Sequence, residues 1–196
     1  MATTRENKTI SQFKSQLIGG GARPNLFEVE LTTLPAGIAW PADNFRYMCK
    51  AAQLPASVIA NIDIPFRGRI FKVAGDRTIE PWSITVINDE DFRIRKAMEE
   101  WVDTIAKLEN NLGATDPSAY MVNAKVFQLG RGAVPSSKNN SGDRNAVLRE
   151  YEFIDIFPTS VSSIDLSYDS SDTIEEFVVD FAVQSFKFVD AGGPNG

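Results

Sequence analysis

The chain has 196 residues, with 20 basic and 26 acidic side chains, a formal net charge of −6 and no histidine. This length suits one domain, and the lack of histidine removes the usual general base, the Ser-His-Asp triad and the commonest zinc ligand. A single cysteine excludes an internal disulfide and a four-thiolate metal site. The acidic balance argues against tight phosphate binding, and no apolar run approaches the ~20 residues that span a bilayer. We therefore expect neither an enzyme nor a membrane-spanning protein, and no cofactor or metal.

The first segment, residues 1–21, is polar and ends in Gly19-Gly20-Gly21. It lacks the apolar core of a secretory signal, and it predicts an arm with a short helix around residues 10–18 and a flexible glycine hinge. A phosphate loop is disfavoured, because the glycines lack both a preceding strand and a following Lys-Ser/Thr pair. The sequence therefore predicts an N-terminal arm outside the main domain.

Two segments then alternate apolar and polar residues with the two-residue period of a half-buried strand. They cover residues 27–32 and 45–50, and prolines in residues 35–44 predict a long hairpin loop between them. Cys49 falls on the apolar side of the second segment. We expect a buried thiol there rather than a nucleophile, because no histidine is present to activate it.

A projecting hairpin is predicted next, because the segments 62–66 and 69–73 flank the turn pair Arg67-Gly68. Its aromatic, aliphatic and basic residues suggest a surface that makes contacts. The alternative is an ordinary hairpin packed on its own core.

The segment from Val73 to Glu90 predicts a turn, a strand and a helix start in succession. Gly75 suits a tight turn, and residues 82–86 alternate as a half-buried strand. Asn88 and Asp89 suit the cap of the helix that follows, and the acidic residues lie at its positive end.

An apolar stripe at three- and four-residue steps predicts one amphipathic helix over residues 94–112. Gly113 is a suitable C-terminal stop. We expect this helix to dock on a sheet, with Trp101 buried against it. No cofactor is needed to explain the stripe.

Four further strands are predicted in the C-terminal half by alternation and by flanking turn residues. They cover residues 120–126, 148–157, 161–168 and 176–189. Pro158 is expected to stop the second of them, and residues 130–145 are expected to form a polar loop. The turn at residues 169–172 could bind calcium, but a turn of short polar side chains needs no ion.

Many closely spaced strands with one flanking helix predict a mainly β fold, either a β-sandwich or a partly open barrel. Exposed strand edges tend to pair with other chains. A ring of subunits removes such edges by closing the sheet on itself.

Several segments together resemble, in the same order, the tube protein family of T4-type contractile phage tails. The segments are residues 22–27, 49–56, 73–90, 157–161, 166–170 and 176 onward. The similarity extends from Ala22 to Phe186, whereas residues 36–44, residues 136–145 and both ends look longer than the family pattern. We expect an arm over residues 1–21, a tube domain over residues 22–189 and a flexible tail over residues 190–196.

The resemblance implies hexameric rings whose strands build a continuous inner β-barrel and which stack into a hollow tube inside a contractile sheath. The implied partners are further copies of the chain and the sheath, baseplate and tail terminator proteins. The implied location is the virion tail, after assembly in the host cytoplasm, with no stable membrane insertion. Genomic DNA would pass through the bore without specific binding. The alternative is the inner tube of a related secretion or extracellular contractile injection system.

Two sets of site residues follow from the resemblance. The hairpin is expected to supply the contact between subunits or rings through Ile64, Phe66, Arg67, Arg69 and Phe71. The candidates for the lumen wall are Glu28, Glu30, Arg46, Lys50 and Asp180. An acidic wall would repel phosphate weakly, but the acids could instead face outward or pair with Arg46 and Lys50, which would neutralise the wall.

Overall fold

The computed structural model describes residues 9–17, 21–31, 33–110, 112–130 and 147–190. Its helices are α1 (Ile10–Gln16), α2 (Ala42–Met48) and α3 (Arg93–Ile105), and Pro117–Ala119 forms a 3-10 turn. Its strands are β1 (Phe27–Leu31), β2 (Cys49–Ala52), β3 (Ser57–Phe66), β4 (Arg69–Ile79), β5 (Trp82–Ile87), β6 (Val122–Leu129), β7 (Val147–Val161) and β8 (Glu176–Asp190). The prediction of a mainly β fold with one long flanking helix is confirmed.

Six strands form one antiparallel sheet in the order β1-β6-β7-β8-β5-β2, and β3 pairs with β4 in a separate two-stranded sheet. The two edge strands of the large sheet, β1 and β2, approach each other, so the sheet is a nearly closed barrel. Within the described ranges, no helix is long and apolar enough to cross a membrane.

The core lies between the inner face of the large sheet and the helices that cover it. β5 shows the underlying pattern, because Trp82, Ile84 and Val86 are buried while the residues between them are not. From α3, Trp101 is fully buried, its indole N–H donates to the carbonyl of Tyr120 at 2.7 Å, and its ring lies 5.8 Å from that of Phe181. The predicted docking of the helix on the sheet is confirmed.

The predicted second strand is wrong for most of its length, because residues 42–48 form α2 and only Cys49 begins a strand. Phe45 and Cys49 are four residues apart, a spacing that places two side chains on one face of a helix as well as on one face of a strand. Phe45 is buried 4.9 Å from the ring of Trp40, whereas Tyr47 is 83% exposed. The predicted burial of Cys49 is confirmed.

Both predicted ends of the long helix are also wrong. Asn88 and Asp89 do not cap α3, which begins at Arg93 after Phe92 in the left-handed conformation. Their side chains are hydrogen-bonded to Glu175 and Asn44 instead. The helix ends at Ile105, which leaves Leu108 and Leu112 exposed.

Gly75 lies inside β4 rather than in the predicted turn, next to a register shift between Ile59 and Asn61. A Cβ atom at Gly75 would lie 3.1 Å from the carbonyl oxygen of Ala60. The glycine therefore permits a close approach of two backbones at the bulge.

β7 runs through Pro158, contrary to the predicted stop, and residues 162–168 form no strand. β6 pairs with β7 only as far as Ile156. No backbone carbonyl of β6 therefore needs the N–H that Pro158 lacks. The register to β8 shifts between Pro158 and Ser160, which marks a bulge.

The remaining strand predictions are confirmed in outline by β1, β6 and β8, the hairpin by β3 and β4, and the short N-terminal helix by α1. Gly19 and Gly20 of the predicted hinge, the loop from residue 131 to 146 and the tail from residue 191 lie outside the described residues.

Candidate functional site: a charged sheet face and a projecting hairpin

One face of the large sheet points away from the core and carries alternating charges. In β1, Val29 and Leu31 are buried, so Glu28 and Glu30 lie on the opposite face. The strand register places Lys125 of β6 directly between Glu30 of β1 and Glu152 of β7. Opposite charges therefore alternate across three neighbouring strands.

We define the charged face by ten side chains on this side of the sheet and on α2. They are Glu28, Glu30, Arg46, Lys50, Lys125, Glu150, Glu152, Glu176, Asp180 and Lys187. All five residues predicted as lumen candidates belong to it.

Arg46 joins the charged face because α2 packs against β1. Its guanidinium lies 2.6 Å from Glu30 and 3.4 Å from Glu28. The hydrogen bond from Arg46 to Glu30 is the main reason why the pKa of Arg46 is raised. Two of the three acids predicted to make the wall acidic are therefore paired with a base, as the alternative interpretation allowed.

Three further ion pairs cross between strands of the charged face. Lys125 lies 2.7 Å from Glu150, Lys187 lies 2.9 Å from Glu152, and Lys50 lies 2.5 Å from Glu176. The hydrogen bond to Glu150 is the main cause of the raised pKa of Lys125. These pairs lie at the surface and are exposed or half-buried, so each contributes little to stability, but together they balance most of the charge.

Asp180 is held by hydroxyl groups instead of a base. Ser83 Oγ donates a hydrogen bond to one carboxylate oxygen of Asp180, and Ser160 Oγ donates to the other at 2.7 Å. These two hydrogen bonds, that from Ser83 first, lower the pKa of Asp180 below its usual value. With six acids and four bases, the charged face remains mildly acidic, and Asp180 keeps its negative charge at neutral pH.

Sequence reasoning missed Lys125, Glu150, Glu152 and Lys187. The alternation of apolar and polar residues predicted the three strands that contain these residues, β6, β7 and β8. Which residues face one another depends on register between distant strands, and the bulges in β6 and β7 shift that register.

The second candidate surface is the apolar face of the β3–β4 hairpin, which consists of Ile62, Ile64, Phe66, Phe71 and Val73. The register pairs Ile62 with Val73 and Ile64 with Phe71 across the hairpin. All five side chains are exposed, Phe66 and Phe71 by 66% and 64%. Within the described residues, the chain itself does not bury this face.

The tip of the hairpin is the predicted pair Arg67-Gly68, with both residues at positive φ as a type I′ hairpin turn requires. The guanidinium of Arg67 lies 5.4 Å from the centre of the Phe66 ring. Arg69 pairs with Phe66 in the register. The structure thus brings together the five predicted contact residues, Ile64, Phe66, Arg67, Arg69 and Phe71, at the distal end of the hairpin.

A third feature is the uneven length of neighbouring strands. β5 pairs with β8 only over residues 176–181, whereas β8 continues to Asp190. Among the strands that the structure describes, none is hydrogen-bonded to the second half of β8 on that side. This half-strand is therefore an edge that can pair with another chain.

The described residues offer little for covalent or metal chemistry. They contain no cluster of three or more Cys, Asp or Glu side chains placed to hold a metal ion. Burial raises the pKa of the Cys49 thiol to about 12, so the thiol is protonated and unreactive at neutral pH.

Comparison with known proteins identifies the family of this chain. The family model described as "Phage tail tube protein" matches residues 22–189. The chain is 34% identical over 165 residues to the tail tube protein gp19 of Enterobacteria phage T4 and to that of Enterobacteria phage T6, covering 84% of this chain and 90% of each relative. A chain from the baseplate structure of the anti-feeding prophage shares the fold, with a TM-score of 0.60 at 10% identity over 87% of this chain and 96% of its own length. This chain belongs to the phage tail tube protein family and is a homologue of the T4 and T6 tail tube proteins.

Proposed function

We propose that six copies of this chain form a ring, that their sheets join into one continuous inner β-barrel, and that the rings stack into the tube of a contractile phage tail. The role is mechanical: the tube is a rigid conduit through which the genome leaves, and the chain performs no catalysis. The tube domain spans residues 22–189, with an arm before it and a tail after it.

The observation that carries this proposal is the apolar face of the hairpin. A two-stranded hairpin is marginally stable in water without further packing. Five large apolar side chains on one of its faces are exposed in the single chain, and a contiguous patch of this kind marks an interaction site. Contact with a neighbouring ring would bury it. The residues proposed for this contact are Ile64, Phe66, Arg67, Arg69 and Phe71.

The half-strand of β8 supports closure of the ring. Its backbone groups on the β5 side can pair with a strand of the next subunit, and a closed ring leaves no such edge exposed. Hydrogen-bonded strands that cross subunit boundaries would give the tube its stiffness.

The charged face is proposed to line the bore. Its acids are matched by bases at 2.5–3.4 Å, and the surplus negative charge includes Asp180. Such a wall offers DNA no strongly basic track, and weak repulsion acts only within about 8 Å at physiological salt. The genome would slide along this wall rather than bind to it.

The proposed location is the virion tail, after assembly in the host cytoplasm, with the sheath, baseplate and terminator proteins as partners. The alternative is the inner tube of a secretion or extracellular injection system, since a chain from the structure of an extracellular contractile injection system shares the fold, with a TM-score of 0.53 at 10% identity. The 34% identity to two phage tube proteins favours the phage tail. Mass spectrometry of purified virions would separate the two: this chain should be abundant in DNA-containing particles.

Assembly of the purified protein tests the proposed function. We expect rings or tubes by negative-stain electron microscopy, without nucleotide or metal, because the joining surfaces are strand edges and apolar side chains. A protein that stays monomeric at high concentration across several salt conditions would contradict the proposal.

A further inference from the structure

The strands β7 and β8 both change their buried face partway along their length. In β7, Phe153 and Ile156 are both buried although they lie three residues apart, whereas a regular strand presents the same face only at every second residue. In β8, their partners Phe186 and Val183 are also three residues apart, and both pack against the core. The apolar pattern therefore shifts by one residue at the same level of both strands.

A β-bulge in β7 accompanies this shift. At this level β7 has two residues, Ile154 and Asp155, opposite the single residue Asn123 of β6. Asp155 adopts the left-handed conformation with a φ of 54°, which is unfavourable for most side chains and which Asp and Asn tolerate best. Its backbone N–H donates a hydrogen bond to Asn123 Oδ1 at 3.1 Å. The side chain of Asn123 therefore holds the bulge in place.

The bulge lies near the point where β8 loses its neighbour β5. Among the described strands, β5 is hydrogen-bonded to β8 only as far as Phe181, and Ile154 of the bulge pairs with Ser185 of β8 beyond that point. A bulge bends a strand and increases its twist. The bulge therefore sets the angle between the second half of β8 and the rest of the sheet.

This angle matters because the second half of β8 is the edge proposed to pair with the next copy. A head-to-tail contact closes into a ring only if the rotation from copy to copy divides a full turn, and another rotation gives a ring of another size or an open helix. We infer that Asn123 and Asp155 are positioning residues, whose bulge directs the edge of β8 and so determines how many copies close the ring. The inference rests on the proposed ring and adds the residues that set its size.

The bulge also has a role within the single chain. Without it, one half of β7 would turn its apolar side chains away from the core. The number of copies per ring separates the two roles, because a loss of stability alone lowers the amount of folded protein and leaves that number unchanged in the rings that form.

Replacement of Asn123 tests the inference. Asn123→Ala removes the acceptor for the N–H of Asp155, whereas Asn123→Asp keeps an oxygen there. Native mass spectrometry counts the copies in assembled rings, and end views in the electron microscope show whether the rings are closed. In Asn123→Ala, the share of open arcs and of rings with another number of copies should rise at least about tenfold, because the loss of one hydrogen bond is repeated in every subunit. Asn123→Asp should match the wild type.

The matched control is Asp116→Ala. Asp116 Oδ1 accepts a hydrogen bond of the same kind, from the backbone N–H of Ser118 at 3.0 Å, and lies outside the sheet. This variant should keep the number of copies found in the wild type.

A second pair of variants changes the backbone preference at the bulge. Asp155→Val disfavours the left-handed conformation, because valine is β-branched, whereas Asp155→Asn tolerates it. Only Asp155→Val should change the distribution of ring sizes. Circular dichroism of the unassembled proteins shows which variants fold.

Wild-type ring sizes from folded Asn123→Ala and Asp155→Val, or an equal change in Asp116→Ala, would overturn the role of the bulge and leave the proposed tube intact. A folded bulge variant that forms no rings, beside a control that does, would support it. If one bulge variant does not fold, the other decides; if neither folds, the bulge serves the single chain alone and the inference is overturned. A wild-type protein that forms no rings would contradict the proposed function itself.

Discussion

At the scale of single residues, two buried tryptophan side chains, Trp82 and Trp101, join neighbouring segments of the chain through their rings and their indole N–H groups. Trp82 stacks on Phe153 with ring centres 4.4 Å apart, and its N–H donates to the carbonyl of Gln53 at 2.8 Å. Trp101 performs the same role for α3 through Tyr120 and Phe181. Each indole therefore combines a buried aromatic surface with a satisfied polar group.

Trp101→Ala should lower the free energy of unfolding by roughly 3–5 kcal/mol, because it leaves a large cavity and an unpaired carbonyl at Tyr120. Urea titration of the unassembled protein measures this change. The control is Tyr47→Ala, whose side chain is 83% exposed and should matter by less than about 0.5 kcal/mol. A loss well under ~1 kcal/mol at Trp101 would mean that α3 is peripheral to the core.

Asp180 should make stability depend on pH in the acidic range. Its pKa is lowered in the folded chain, so its contribution is complete above its ordinary pKa of about 3.9 and is lost as the pH falls through the lower folded value. Asp180→Asn should therefore be less stable than the wild type by about 1–2 kcal/mol at pH 7, and the difference should shrink at pH values below about 3.

Unfolding of both proteins in urea at several pH values measures the effect of Asp180. Asp165→Asn, at an exposed position in the loop before β8, is the control and should show no such trend. A difference that stays constant down to the most acidic pH would mean that the hydroxyl groups of Ser83 and Ser160 do not favour the charged form.

At the scale of elements, the sequence predicted well those segments whose pattern is long. β5 and β8 alternate over six and more residues, and the stripe of α3 covers three turns, so period and length agree. The segment of residues 45–50 is too short to distinguish a helix from a strand, because the spacing of Phe45 and Cys49 fits both periods. The structure has a helix there, in which Phe45 is buried against Trp40. The end of β7 was missed because a proline is tolerated where β6 no longer pairs.

The candidate surfaces were predictable to different degrees for a similar reason. The hairpin is local, so Arg67-Gly68 and its flanking segments specify which residues lie at its tip. The charged face is assembled from strands far apart in sequence. Glu28 and Asp180 could be placed on mixed strand faces, but the pairing of Lys125 with Glu150 needs the register of β6 against β7.

Replacing Phe66 and Arg67 together by Ser should leave single rings folded but shorten or abolish tubes, because both side chains lie at the exposed tip of the hairpin. Electron microscopy gives tube length, and circular dichroism confirms folding. The control is Asp63→Ser with Lys72→Ser, an exposed ion pair on the other face of the hairpin. Long tubes from the Phe66/Arg67 variant would exclude this tip from stacking.

At the scale of the whole molecule, the single chain is incomplete in two respects. Its nearly closed sheet leaves the second half of β8 as an edge, and its hairpin exposes an apolar face. A monomer would be prone to unspecific association through both features. Closure of a ring would pair the free edge of β8, and stacking of rings would cover the apolar face of the hairpin. Both accord with membership of the tail tube family.

The charge of the whole sheet also bears on the proposed lining of the bore. The charged face alternates acid and base from β1 to β8, so charge is balanced locally and only a small negative surplus remains. A wall of this kind combines a wetted surface with weak affinity for phosphate. Proteins that grip nucleic acid instead present clustered lysine and arginine.

A cryo-electron microscopy map of the assembled protein tests the central claim most directly. We predict sixfold rings with a continuous inner barrel, Glu28, Glu30 and Asp180 on the side of the bore, and the hairpin tip at Phe66 between consecutive rings. A map in which all three acids point away from the bore, or in which lysine and arginine form most of its lining, would contradict the account.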